Sequence, residues 1–121
     1  MPDDRKNLGH RGETAAISFV QTKGFTILET NYKTKIAEID IIAKDKDCIC
    51  FIEVKTRRSL KKGLPKESVT YSKQKKIILG ASIYLKEKKQ MNSRVRFDVI
   101  EVLEKNGSFD INLIKNAFQA F

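Results

Sequence analysis

Two successive apolar segments, each interrupted by carboxylates, constrain most strongly what this chain can fold into. Residues 36–44 (IAEIDIIAK) and 48–56 (CICFIEVKT) are rich in β-branched side chains and are separated by the short polar sequence 45–47. This pattern predicts two antiparallel strands joined by a tight turn. Because side chains alternate between the faces of a strand, we expect Ile36, Glu38, Asp40 and Ile42 on one face of the first strand and Ala37, Ile39, Ile41 and Ala43 on the other.

The register of this hairpin is predicted to bring acidic residues together. A two-residue turn or a four-residue loop places Asp40 opposite Glu53 and Glu38 opposite Lys55, whereas a three-residue loop shifts the pairing by one and sends the side chains to opposite faces. Two carboxylates directly opposite each other repel, and covering them with a helix adds a burial cost. A divalent cation removes this cost, and hard oxygen ligands suit Mg²⁺ or Mn²⁺.

Lys55 lies two residues after Glu53 on the same predicted face. Its ammonium can approach the same centre and stabilise negative charge that develops on a phosphate. The alternative is a structural ion-pair cluster, in which Lys55 pairs with Glu38 and arginines balance Asp40 and Glu53. The residues alone leave both interpretations open.

The remaining periodicities predict seven elements in the order α-β-β-β-α-β-β. We expect helices at residues 9–23 and 70–89, and strands at residues 25–32, 36–44, 48–56, 94–103 and 109–113. Asn7 is the expected cap of the first helix and Gly24 its stop, while Asn106-Gly107 indicates a hairpin turn. The third strand, second helix and fourth strand form a crossover whose two strands should be parallel. The expected fold is an α/β mixed sheet with flanking helices, in one domain over residues 1–121.

Two polar residues fall inside the apolar stripes of the predicted helices. Glu13 precedes Ala16, Ile17 and Val20 by three, four and seven residues, and therefore lies at the centre of the first stripe. It either reaches a polar site or is an acid stabilised by the positive helix N-terminus. Gln74 lies in the inward stripe of the second helix, where it either hydrogen-bonds the site or is a satisfied core residue.

The positive charge of the chain is concentrated in one segment. Residues 55–76 contain one acid, Glu67, and nine basic residues, and so carry +8 of the formal net charge of +9. Such a patch indicates a polyanionic partner, although a solvated loop and helix face remain the alternative. No bulky apolar anchors accompany the patch, which argues against a membrane surface. The nine basic residues are Lys55, Arg57, Arg58, Lys61, Lys62, Lys66, Lys73, Lys75 and Lys76.

The composition indicates a soluble globular protein with a cytoplasmic location. Hydrophobic residues make up 40% and charged residues 32% of the chain, and no apolar run approaches the ~20 residues that span a bilayer. Residues 1–10 lack the apolar stretch of a signal peptide. Cys48 and Cys50 lie two apart in a strand and are expected to be buried thiols, and a single histidine makes a zinc site improbable.

The acidic hairpin resembles a known nuclease pattern. Glu38-Ile-Asp40, a gap of twelve residues and Glu53-Val-Lys55, preceded by a helix carrying Glu13, resembles the PD-(D/E)xK nuclease superfamily, and the order of elements matches over nearly the whole chain. The closer resemblance is to the YraN family of small uncharacterised bacterial proteins, although Ala37 stands where that family is expected to have glycine. It rests on Gly12-Glu13 with Ala16, Gly24-Phe25, Asn31-Tyr32, residues 38–43 (EIDIIA), residues 51–57 (FIEVKTR), Lys73, Arg96-Phe97-Asp98 and Asn116-Ala117-Phe118.

The resemblance implies a restriction-endonuclease-like fold, similar to archaeal Holliday junction resolvases. It implies that Asp40 and Glu53 are metal ligands, that Lys55 is the catalytic lysine and that Glu13 completes the site. From their places on the second strand and second helix, Glu38 and Gln74 are candidates for residues next to it. The expected activity is Mg²⁺- or Mn²⁺-dependent endonucleolytic hydrolysis of phosphodiester bonds in DNA rather than RNA, including branched or damaged structures. Phosphate contacts are expected from Arg57, Arg58, Lys61, Lys62, Lys66, Lys73 and Lys76.

Two alternatives belong to other functional classes. One is a non-catalytic nucleic-acid-binding module that acts within a repair or recombination assembly. The other is a structural protein with a charged core cluster, which predicts no specific metal binding. No membrane partner is expected, and the sequence leaves open whether the chain forms a homodimer.

Overall fold

A computed structural model describes residues 4–58 and 69–120 of the chain. The order α-β-β-β-α-β-β is confirmed. The predicted phosphate contacts Lys61, Lys62 and Lys66 lie outside the described residues. The elements are α1 (Asp4–Thr22), β1 (Thr26–Lys33), β2 (Glu38–Asp45), β3 (Cys48–Arg57), α2 (Tyr71–Glu87), β4 (Arg94–Lys105) and β5 (Ser108–Phe118).

The five strands form one mixed sheet in the order in which they occur along the chain. β1, β2 and β3 are antiparallel neighbours, β3 and β4 are parallel, and β5 returns antiparallel to β4. The parallel pair follows from the crossover through α2, because a helix between two strands carries the chain back to the starting edge. The fold is therefore α/β, and it is consistent with a restriction-endonuclease-like architecture.

The two helices cover opposite faces of the sheet, as the alternation along β3 shows. Phe51 is fully buried in a cluster with α2 residues that include Ile77 and Tyr84. Its neighbours Cys50 and Ile52 belong to a second cluster with Ala16 and Val20 of α1. Both cysteines are free thiols; Cys50 is buried, as expected, whereas Cys48 is only partly buried where it packs against that second cluster. Among the described residues no helix is long and apolar enough to cross a membrane.

Individual residues explain where α2 begins and where α1 ends. The hydroxyl of Thr70 accepts the backbone N–H of Lys73 and caps α2, because the first N–H groups of a helix lack partners within it. Gly24 follows α1 with φ +92°, a conformation that glycine adopts without a steric penalty. The predicted cap at Asn7 is wrong, since α1 already begins at Asp4. The predicted end of the last strand near residue 113 is also wrong, since β5 continues to Phe118.

One face assignment on β2 is wrong, and it concerns the neighbourhood of the acidic residues. Ile39 lies in the cluster under α2 together with Ile42, whereas Ile41 lies in the cluster under α1. The paired residues of β2 and β3 extend only as far as Ile41 and its partner on β3. Beyond that point the carboxylate of Asp40 accepts the backbone N–H of Val54. Here a hydrogen bond to a side chain replaces a backbone hydrogen bond between the two strands. The regular alternation of side chains between the two faces of the sheet ends at the same point.

Candidate active site

The carboxylates of Asp40 and Glu53 meet where the ladder between β2 and β3 stops. Asp45 pairs with Cys48, as predicted, and the last pair of this ladder is Ile41 with Ile52, so that Asp40 and Glu53 are the next residues beyond it. The Oδ2 atom of Asp40 accepts the N–H of Val54 at 2.8 Å, and the Asp40 and Glu53 side chains are close enough for each to shift the pKa of the other. A carboxylate only accepts hydrogen bonds, whereas a protonated carboxyl can also donate one, so a proton on one of the two acids would let them hydrogen-bond instead of repelling each other.

Burial and mutual contact separate the pKa values of the two acids. Burial, followed by the hydrogen bond to Glu53 and its charge, raises the pKa of Asp40. Burial also acts to raise the pKa of Glu53, but hydrogen bonds from Asp40 and Lys73, with the charges of Lys73 and Lys55, outweigh it and lower that pKa. These opposite shifts favour a proton on Asp40 and a negative charge on Glu53, which is only 4% exposed.

Lys73 supplies the positive partner of Glu53. Its Nζ lies 2.8 Å from the Oε2 atom of Glu53, a buried oxygen that makes this ion pair but no hydrogen bond of standard geometry within the described chain. Sequence analysis assigned Lys73 to phosphate contacts and missed this pairing. The signal was present: Lys73 lies in the first turn of α2, where the helix dipole disfavours a cation that has no anionic partner.

Glu13 approaches the pair from α1. Gly12 makes this approach feasible, because a Cβ atom at residue 12 would collide with the side chain of Thr56 on β3. Burial, then the charge of Glu38, raises the pKa of Glu13, and the charge of Glu53 adds to the effect. Glu13 is thus an electrostatic neighbour of the predicted site.

The acidic residues of this region, Glu13, Glu38, Asp40 and Glu53, do not together surround a position for a metal ion. No group of three or more histidine, cysteine, aspartate or glutamate side chains is placed to hold a metal ion within residues 4–58 and 69–120. Glu38 is exposed and its carboxylate lies 3.5 Å from the Nζ atom of Lys33, not in the predicted pairing with Lys55. The pair formed by Asp40 and Glu53 therefore provides the two carboxylates available to a cation.

Lys55 and Arg57 extend the site along β3. Lys55 is half-buried, and its charge is among those that lower the pKa of Glu53. Arg57 lies two residues further along the strand and hence on the same face. Its Nε atom is buried and has no hydrogen-bond partner in the described part of the chain. Two cationic side chains therefore follow Glu53 on its own face.

The other predicted contact residues have different surroundings. The Nε atom of Arg58 lies 3.3 Å from Glu104, which also accepts a hydrogen bond from Arg11. Lys76 is an exposed residue of α2. The amide of Gln74 donates to the carbonyl of Val69 at 3.1 Å, so its polar group is satisfied by the backbone. These residues do not contact the carboxylate pair.

A second cluster of charged side chains lies near the start of β4, around the buried Asp98. It was not predicted from the sequence. Asp98 is fully buried and receives two hydrogen bonds of 2.9 Å from Arg96, at Nε and Nη2. The backbone N–H of Asn116 donates to the same carboxylate at 2.9 Å, and Arg96 reaches Asp45 at 3.1 Å. The signature residues Arg96, Asp98 and Asn116 thus tie three strand segments together.

Comparison with known proteins identifies relatives over the whole of this architecture. The sequence model of uncharacterised protein family UPF0102 matches residues 12–102. A UPF0102 protein of Desulforapulum autotrophicum is 49% identical over 119 residues, covering 98% of both chains. A UPF0102 protein of Caldicellulosiruptor saccharolyticus is 46% identical over 95% of this chain and 99% of its own, and one of Clostridium botulinum is 49% identical over 94% and 95%. The chain therefore belongs to the UPF0102 family, the YraN-like family that its sequence motifs resemble.

Proposed function

We propose that this protein is a divalent-metal-dependent nuclease that hydrolyses phosphodiester bonds in DNA. The observation that carries the proposal is the pair of neighbouring acids on β2 and β3: half-buried Asp40 accepts the backbone N–H of Val54 at 2.8 Å, and Glu53 beside it is only 4% exposed. Two acids held in contact away from water cost free energy that the fold has to offset. Such an arrangement is typical of a site that uses both carboxylates for chemistry.

The donor set fits Mg²⁺ or Mn²⁺. Both carboxylates provide hard oxygen atoms, and the Oε2 atom of Glu53 is buried with only an ammonium against it. Lys73 thus already supplies positive charge where a cation would be held. Because Mg²⁺ usually binds one or two carboxylates and retains waters and substrate phosphate, two protein ligands are sufficient. When bound, the ion would supply Lewis acidity and lower the pKa of a water molecule.

The chain's own cations would act on the phosphate. Lys55 presents an ammonium on the same face as Glu53, so it can stabilise the charge that develops as the phosphorus is attacked. Arg57 offers a guanidinium whose Nε atom is unpartnered within the described residues, and this group suits a phosphate oxygen. The net charge of +9 favours a polyanion throughout. Resemblance to resolvase-like nucleases supports DNA, with branched or damaged structures among the substrates.

A cleavage assay on matched substrates tests the proposal. Labelled single-stranded, duplex and branched DNA, with RNA of the same sequence, are incubated with Mg²⁺, Mn²⁺ or EDTA. We expect metal-dependent cleavage of DNA that is abolished by Asp40→Asn and by Glu53→Gln. Asp110→Asn is the matched control, because Asp110 is exposed and pairs only with Lys105 among the described residues. Cleavage that survives both acidic substitutions would refute the assigned site.

One observation favours a second function, a non-catalytic nucleic-acid-binding module. Lys73 already neutralises Glu53, and the described residues contain no third metal-binding side chain in place. This function predicts binding that is indifferent to divalent ions and no cleavage of any substrate in the panel. Calorimetric titration of the protein with Mn²⁺ separates the two, because only the nuclease requires a site that Asp40→Asn weakens.

A further inference from the structure

A cavity lies next to the carboxylate pair on the α2 face of the sheet. Its volume is about 230 Å³, and its surface is about equally polar and apolar: two polar side chains, Gln74 and Glu101, line it together with Val69, Val99, Ile114, Ala117 and Phe118. In the parallel ladder of β3 and β4, Val99 is the partner of Glu53 and Glu101 the partner of Lys55. The cavity is therefore one strand away from the site, a spacing of about 4.8 Å.

Glu101 is the unusual residue of this cavity. Its Oε1 atom accepts a hydrogen bond of 3.3 Å from the amide of Asn112. Its Oε2 atom is buried and has no hydrogen-bond partner within the described residues. A buried acceptor without a donor is costly, so this oxygen requires an explanation. A ligand that enters the cavity with an N–H group would provide the missing donor.

We infer that the cavity binds a nucleobase of the nucleic acid whose phosphate lies at Asp40 and Glu53. A nucleobase has flat apolar faces for the walls formed by Val99 and Ile114, and N–H groups at its edge for Glu101. Guanine fits best, because its ring N–H and its amino group are adjacent on one edge and can both donate hydrogen bonds to a single carboxylate. This assignment rests on the proposed nucleic-acid substrate, and it adds that the protein reads one unpaired base beside the bond it acts on.

A base can enter this cavity only when it is out of the helical stack. A duplex hides the edge of guanine that carries these two donors in its pairing with cytosine, so the cavity can accept the base only from a single-stranded or disrupted segment. Contact with the apolar walls compensates for the stacking energy that the base loses. The carboxylate of Glu101 distinguishes guanine from the other bases by the hydrogen bonds it accepts. A correct hydrogen-bonded pairing of this kind is expected to change affinity by at least about fivefold.

Binding of oligonucleotides in EDTA tests the cavity without any catalysis. The probes are short thymidine oligonucleotides that carry guanine, adenine, cytosine or an abasic residue at one central position, and fluorescence anisotropy reports affinity for the full chain. We expect guanine to bind at least about fivefold more tightly than the abasic probe. Glu101→Gln should remove this preference, and Asp110→Asn, which removes an equal charge from an exposed position of β5, should keep it.

A second variant protects the test against a folding artefact. Ala117 also lines the cavity and is exposed, so Ala117→Leu narrows the cavity without altering Glu101, and thermal melts confirm that each variant is folded. It should also remove the preference for guanine. Equal affinity for all four probes, a failure to bind any of them, or a preference that survives in Glu101→Gln would overturn the inference.

Parallel cleavage of the same probes with Mn²⁺ distinguishes failure of this inference from failure of the proposed function. Cleavage without any dependence on the central base would retain the nuclease and overturn the base-binding cavity. Guanine-dependent binding without cleavage would support the cavity and remove the nuclease in favour of the binding module.

Discussion

Replacing Asp40 with asparagine should stabilise the metal-free protein, and increasingly so as the pH rises. The amide keeps both contacts of the protonated carboxyl, since its oxygen can accept the N–H of Val54 and its NH₂ group can donate to Glu53. The substitution therefore removes only the ability to ionise. In the wild-type protein that ability is costly, because burial and Glu53 raise the pKa of Asp40 well above its ordinary value of 3.8.

The sign and size of the effect follow from proton linkage. Above pH 4 the unfolded chain loses the Asp40 proton while the folded chain keeps it, so the free energy of unfolding decreases with rising pH until the raised pKa is passed. The slope for one such group is up to about 1.4 kcal/mol per pH unit. The pKa of Glu53 is lowered, so its stabilising contribution is complete above its usual pKa and constant near neutrality. The Asp40→Asn variant lacks the Asp40 slope.

Urea unfolding in EDTA, at pH values from about 5 to 8, measures this difference. The matched control is Asp98→Asn, which leaves the guanidinium of Arg96 without its buried carboxylate and should cost about 3 to 5 kcal/mol. If the difference in the free energy of unfolding between the wild type and Asp40→Asn did not change with pH, the description of a proton held by Asp40 in the folded state would be refuted. Loss of stability in Asp40→Asn would instead favour a structural role for the pair.

Three further changes have defined outcomes. Gly12→Ala should lower the free energy of unfolding by about 1 to 3 kcal/mol in thermal or urea melts, because the added methyl group collides with Thr56. Lys55→Ala should reduce single-turnover cleavage far more than binding, since its ammonium acts mainly on the transition state; equal losses would assign it to binding alone. When alanine replaces Arg57, Arg58, Lys61 and Lys62, binding titrations over a salt series should show weaker affinity for all sequences alike. The salt slope should also fall by roughly 0.9 for each duplex phosphate that these side chains no longer neutralise.

The features that sequence reasoning predicted correctly are those fixed by local chemistry. The register of β2 and β3 depends on the short turn after Asp45, so the pairing of Asp45 with Cys48 followed from spacing alone. The start of the second helix near residue 70 was also predicted, and a cap between near neighbours in the sequence, Thr70 and Lys73, fixes it. Order and type of the elements followed from hydrophobic periodicity, which is set within each segment.

The features that it missed depend on interactions between segments distant in sequence. Ile39 faces α2 because the Asp40 side chain replaces a ladder hydrogen bond, and simple alternation cannot anticipate such a substitution. Lys73 meets its partner Glu53 because α2 packs over β3, and local sequence patterns do not specify that contact. Glu101 carried no local signal, since its unpartnered oxygen arises from the packing of α2, β4 and β5 around one cavity.

Charge balance connects the metal-free structure with the proposed chemistry. Near neutral pH the two acids are compensated by one proton on Asp40 and one ammonium from Lys73, which together supply the two positive charges of a divalent cation. The fold therefore tolerates the two neighbouring acids without metal, because a proton and an ammonium already balance their charge. A cation that binds both carboxylates has to displace the proton and compete with Lys73, so its affinity should rise with pH through loss of the proton. Under the proposed function, Lys73 released from Glu53 would be available for the phosphate contact that the sequence predicts for it, so one residue would serve the metal-free site and the substrate in turn.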